Sequence, residues 1–212
     1  MLPRLALRAA CAWLVLTLLV SLWGPQTIVA ARPLVQAMVE WMLPGFITRV
    51  ALKPPPDDGT NRAAAGGDVA MELQAMAPVQ IAGPLGVHPW VKLTQSINAG
   101  HDLVSAIVFF SVLAAWPFAS WRQRVTALAL GVPLCAALVV WLVAVHFTGL
   151  FEISLQEMAA QHGLKREPRF VLTQLLFNES GGQWLVALVG AMAVASFAGR
   201  HRNVADPKMF QR

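Results

Sequence analysis

The chain has 212 residues, 57% hydrophobic and only 13% charged, with a formal net charge of +5 and a mean hydropathy of +0.57. Soluble domains carry about 25% charged residues, so this composition excludes an ordinary water-soluble globule and makes lipid part of the solvent. The basic residues come in pairs at the ends of apolar runs rather than on one aromatic-interleaved face, which argues against nucleic acid as a partner.

Residues 9–23 form the first apolar run, preceded by Arg4 and Arg8. A basic start and the small-residue stretch "IVAA" suit a cleaved signal peptide. The alternative is a retained transmembrane anchor over residues 1–30, since a span needs about 20 residues. The anchor is preferred because "PLVQAMVEWMLPGF" reads as an interfacial helix ended by Pro44-Gly45, not as a mature N-terminus. That segment opens an outward-facing stretch over residues 31–100. Within it, "KPPPDDGTNRAAAGGD" is a loop in water, because three prolines cannot continue a helix and Asp57, Asp58 and the glycines favour turns. "DVAMELQAM" alternates apolar and polar residues, the period of a half-buried strand. "PVQIAGPLGV" is a candidate second strand turning at Gly83-Pro84. A lone hairpin is marginal in water, so this β element should lean on helices or on another protein.

Residues 101–150 read as a transmembrane helical hairpin, with apolar runs over 103–119 and 125–150, Pro117 near the first end, and Gly131 and Pro133 placed to bend the second. Residues 151–182 are an outward-facing loop, with "QEMAAQHGLKREPR" as a short helix and turn and "FVLTQLLF" too short to span. Residues 183–199 form the last transmembrane helix, and residues 200–212 a basic tail. The expected fold class is an α-helical polytopic membrane protein, about four transmembrane helices with a small outward-facing β element.

An even number of spans puts both termini on one side. With both in the cytoplasm, Arg4, Arg8, Arg122, Arg124, Arg200, Arg202, Lys208 and Arg212 stay inside against Asp206 alone, and every other acid lies outside. Short inside loops favour Lys and Arg, so "SWRQR" is the cytoplasmic turn of the hairpin. The eight tryptophans mostly flank apolar segments, as interfacial anchors do. Helices in lipid associate mainly through close packing of small residues. Three ladders with a spacing of four suit that role: Ala187, Ala191, Ala195 and Gly199; Ala127, Gly131 and Cys135; Ser111, Ala115 and Ala119.

Few residues invite chemistry. Cys11 and Cys135 lie in apolar runs and supply neither a disulfide framework nor a CxxC metal spacing. Cys135 and His146 share a helix face but sit about 16 Å apart along it, too far for a dyad. His101 and Asp102 at the outer edge of the second span, with His146 at the outer end of the third, could meet on one membrane face as a metal or proton site, although such residues more often simply end a helix in the interfacial zone. Glu152, Glu157 and His162 have helical spacing without a metal motif such as HExxH. No residue is assigned as catalytic, cofactor-binding or metal-ligating. No span carries a charge in its middle and no inverted repeat is visible, which disfavours a pump or a small-solute transporter.

The order of elements resembles the small membrane proteins associated with exosortase H, which are encoded beside a bacterial protein-sorting transpeptidase. The corresponding pieces are "WMLPGF" at 41–46, "DVAMELQAM" at 68–76 and "SINAGHDLVSAIVFF" at 96–110. The resemblance implies a multi-pass protein of the bacterial inner membrane. It also implies a non-enzymatic accessory or scaffold role in an exosortase-type sorting or export system, with the bilayer and another integral membrane protein as partners. Exosortases themselves use a membrane-embedded Cys with Arg, whereas no span here contains arginine, so the chain does not look like the sorting enzyme. An edge strand within residues 68–82 is the expected partner surface. The competing classes are an outer-face membrane enzyme using His101, Asp102 and His146, and a transporter subunit.

Overall fold

A computed structural model describes residues 2–44, 46–52, 70–77, 91–98, 100–161, 163, 165 and 167–200. The described chain is mostly helical, with one small sheet. Helix α1 spans Leu2–Met42, strands β1, β2 and β3 span Ile47–Leu52, Ala70–Ala77 and Val91–Asn98, and a 3-10 turn at His101–Leu103 leads into α2, Val104–Ala115. Helix α3 is Trp121–Gln161, α4 is Val171–Gln174 continued by a π-helical turn at Leu175–Glu179, and α5 is Gly182–Arg200. Among the described residues three helices are long and apolar enough to cross a membrane: α1 over Ala6–Gly24, α3, and α5.

The expected fourth crossing is shorter than anticipated. Helix α2 has only 12 residues: Pro117 disfavours helical geometry at the residue before it, and Trp116 is accordingly extended with ψ 134°. The chain covers residues 116–120 without a helix before α3 begins.

Helices α1 and α3 are each 41 residues long, about 60 Å at 1.5 Å per residue. That is about twice the thickness of a hydrocarbon core. Where the sequence suggested an anchor followed by a separate interfacial helix, one helix runs through. Pro25 and Pro33 withhold two backbone donors, yet the helix continues because Ile28, Val35, Val39 and Met42 on its far half are buried. Tertiary burial outweighs the local proline cost. Helix α3 likewise absorbs the segment expected as a short helix after residue 155.

Two hydrophobic cores stack along α3, and the far half of α1 contributes to the second. The first gathers Phe109 and Leu113 of α2, Ala127 and Cys135 of α3, and Ala187, Ala191 and Ala195 of α5. Two of the three small-residue ladders meet here: Ala127, Gly131 and Cys135 of α3 and Ala187, Ala191 and Ala195 of α5 are buried, with Gly199 at the end exposed, whereas Ser111 and Ala115 are buried on the other face of α2, beside Ala6, Ala9 and Ala10 of α1, and Ala119 is exposed. A Cβ on Gly131 would come within 2.9 Å of Leu113 Cδ1 and 3.2 Å of Phe109, and one on Gly190 within 3.3 Å of Phe109. The missing side chains are thus the space that the Phe109 ring fills. On the outside, Leu7, Leu14, Leu18, Leu22 and Trp23 of α1 are exposed, a surface suited to lipid rather than water.

The second core joins the far halves of α1 and α3 to the sheet through Val35, Val39, Val50, Met71, Leu73, Ile97, Phe147 and Phe151. The sheet is antiparallel in the order β1-β2-β3. Cross-strand rows Leu52–Met71–Ile97 and Val50–Leu73–Gln95 share a face, since side chains alternate along a strand. Gln95 on that row donates to Ser154 Oγ of α3 at 2.5 Å, so its amide is not left unpaired. The alternation in 68–76 anticipates β2. Strand β1 was not anticipated, and the suggested strand at 78–87 lies outside the described residues.

Strand order corrects the expected partner surface. An open edge within 68–82 is the expectation from sequence, but β2 pairs on both sides, because β1 and β3 flank it in register. The edge of β1 is itself closed by α1. Gln36 Nε2 donates to Thr48 O at 2.6 Å, and Val50 N donates to Gln36 Oε1 at 2.6 Å. The side-chain amide thus stands in for a neighbouring strand. Replacing it leaves one backbone donor and one acceptor unpaired, so Gln36→Leu is expected to cost about 1–3 kcal/mol. It should also raise the amide exchange rate at Val50 selectively, and unchanged protection there would show that Gln36 does not seal the edge.

Candidate functional site

Polar side chains gather where the two cores meet, at the end of the first core opposite the arginine-bearing turn. Asn98 closes β3 with its Oδ1 accepting from Gly100 N at 3.0 Å, which turns the chain into the 3-10 turn. Ser105 Oγ then donates to Asp102 O at 2.6 Å. Asp102 is fully buried, and its Oδ2 lies 3.6 Å from Nδ1 of His146 on α3. That is ion-pair range but longer than a hydrogen bond. His101 is exposed, and its Nδ1 lies 3.5 Å from Nε2 of the buried Gln183 in the first turn of α5.

The approach to α5 depends on glycine. Gly181 has φ +75°, the left-handed region, and a Cβ on Gly182 would come within 2.6 Å of Leu176 O. One turn beyond His146, a Cβ on Gly149 would overlap the side chain of Gln174, so Gly149 lets α4 lie directly on α3. Trp141 and Phe177 fix the same contact edge to face at 5.0 Å. Neither amide stands out in the sequence. Their only signal was a polar residue beside or within an apolar run.

Several buried polar atoms here have no hydrogen-bond partner: both oxygens of Asp102, Nδ1 of His146, Oε1 of Gln174, the amide of Asn178 and Oε1 of Gln183. A buried carboxylate is costly unless a donor or counter-charge faces it, and the group that faces Asp102 among the described residues is the His146 imidazole. A carboxylate facing Nδ1 sets the ring orientation and leaves the other ring nitrogen for a ligand or a proton. Among the described residues no group of three or more His, Cys, Asp or Glu is placed to hold a metal ion. The structure thus brings together Asp102 and His146 and turns His101 toward Gln183.

The other candidates fall elsewhere. Cys135 is a packing residue of the first core. Glu152 is 3% exposed, and its Oε2 accepts from Arg169 N at 2.8 Å and Phe170 N at 2.6 Å. It therefore anchors the strand of chain that leads into α4, a role its sequence position did not suggest. Glu157 is exposed. His162, Asp57 and Asp58 lie outside the described residues. Against family models, curated proteins and solved structures alike, this chain finds no match.

Proposed function

We propose that this chain is a non-enzymatic integral membrane accessory protein of an exosortase-type sorting or export system, in a bacterial inner membrane with both termini cytoplasmic. The observation that carries the reading is continuity. Helix α3 runs unbroken from an apolar core that it shares with α2 and α5 into a sheet-bearing core, which the far half of α1 joins. Such a build suits a rigid platform held at fixed height above a bilayer. The charge distribution supports the orientation. Gln123 Nε2 approaches Gly199 O at 3.4 Å, so the "SWRQR" turn and the end of α5 lie together with Arg122, Arg124 and Arg200. The buried acids Asp102 and Glu152 sit toward the opposite end, with the sheet.

The partner surface in this reading is the solvent side of the sheet, where Arg49, Thr94 and Ser96 are exposed. A reporter active only outside the cytoplasm should stay silent when fused after Gln123. A co-expressed exosortase-type transpeptidase should co-purify with the wild-type chain, and Thr94→Arg with Ser96→Arg should abolish capture without lowering membrane accumulation. An active reporter inverts the topology, and capture that survives the double variant removes the sheet from the interface.

A second reading, an outer-face enzyme, is favoured by the buried Asp102–His146 pair alone. Its test is Asp102→Asn and His146→Gln. Loss of sorting with partner capture intact supports it, and an unaltered phenotype removes it.

A further inference from the structure

On the membrane reading above, we propose that the groove between α1, α2 and the start of α3 binds an anionic phospholipid, one acyl chain lying in the groove and the phosphate meeting Arg124. The groove encloses ≈ 540 Å³, within the range of about 300–1,000 Å³ typical of ligand sites. Its walls include Ala12 and Leu16 of α1 and Phe110 and Leu113 of α2, and its lining also includes Trp121 and Arg124 of α3. Its origin is in the sequence. Pro117 ends α2 early, and Ala12, Ala114 and Ala127 present no bulk to fill the space left beside α1.

Two observations select the occupant. The walls are aliphatic and aromatic, and the Ala6–Gly24 segment of α1 that borders them is not buried in the bundle, so the groove communicates with the lipid-facing surface. An alkyl chain meets that chemistry. Charge selects the headgroup. Arg8, one turn before Ala12, and Arg122, Arg124 and Arg200 are all exposed, and among the described residues none of the four has an acidic partner. Basic pockets between spanning helices on the cytoplasmic side recognise anionic headgroups, and exposed Trp121 stands where an interfacial anchor belongs.

The full chain is reconstituted into vesicles of equal phosphatidylcholine and phosphatidylglycerol. The lipid retained after mild detergent extraction is then identified by native mass spectrometry. One phosphatidylglycerol should be retained in preference to phosphatidylcholine. Arg124→Gln should cut that preference about five-fold, the worth of one basic residue near an anionic surface, and Arg124→Lys should largely restore it. Ala12→Phe, which fills the groove, should reduce retention of both lipids. Equal retention of the two lipids, or a preference that survives Arg124→Gln, overturns the proposal. Displacement of the lipid by millimolar inorganic phosphate overturns the acyl-chain half, and a second copy of the chain in place of the lipid overturns the whole. Flotation with the vesicles separates the readings. A chain that floats without headgroup preference loses only this site, whereas a chain that fails to float loses the membrane reading as well.

Discussion

Phe109→Ala is expected to destabilise the helical core by about 2–4 kcal/mol, the largest effect of any single truncation there. The ring is fully buried between Gly131 and Gly190, so removing it leaves a void bounded by two backbones with no side chains to collapse into it. In an aqueous core the same change costs about 3–5 kcal/mol. Part of that range is transfer from water, which fades when the separated helices remain in lipid, and the cavity and dispersion terms persist. Thermal denaturation in detergent, followed by tryptophan fluorescence, should show the loss. Gly131→Ala supplies a second check. Its new methyl would crowd Phe109 and Leu113 in the wild type, and it should cost less in the Phe109→Ala background. Simple additivity of the two changes would show that the ring and the glycine do not share one space.

Glu152→Ala should cost about 2–4 kcal/mol and act elsewhere, on the segment leading into α4. Its buried carboxylate accepts two backbone donors, Arg169 N and Phe170 N, and hydrogen bonds to a charged group contribute about 1.5–3 kcal/mol each. Truncation leaves both donors seeking water in a part-buried position. Glu152→Gln keeps an acceptor oxygen and should lose roughly half as much. Amide exchange at Arg169 and Phe170 is the specific readout. If those two amides stay protected in Glu152→Ala while stability falls, the carboxylate acts through packing alone.

Glu152 also shows why sites of this kind resist reading from sequence. It stands among Glu157 and His162 at helical spacing, and nothing local separates a solvated acid from a buried anchor. The difference is made by residues 169 and 170, which return to α3 after an intervening turn. Asp102 and His146 are a partial contrast. Each stands at the end of an apolar run, so a common membrane face was legible, but the 3.6 Å approach and the loss of all solvent from Asp102 depend on how α2 docks against α3. Gln183 and Gln174 join the cluster where Gly182 passes close to the Leu176 backbone and Gly149 leaves room for the Gln174 side chain.

The sequence by itself determined the apolar runs, the ladders of small residues and the alternation of β2, because each is a local period of 4 or 2 that burial must respect. It also determined where the arginines fall between runs. Tertiary structure decided the rest. It continued α1 through Pro25 and Pro33, since burial of Val35 and Val39 outweighs two lost donors. It made β2 the central strand, since strand order depends on pairings between distant segments. It closed the β1 edge with Gln36, fourteen residues before the donor it satisfies. Periodicity is written residue by residue, whereas partners are chosen only when the chain comes back on itself.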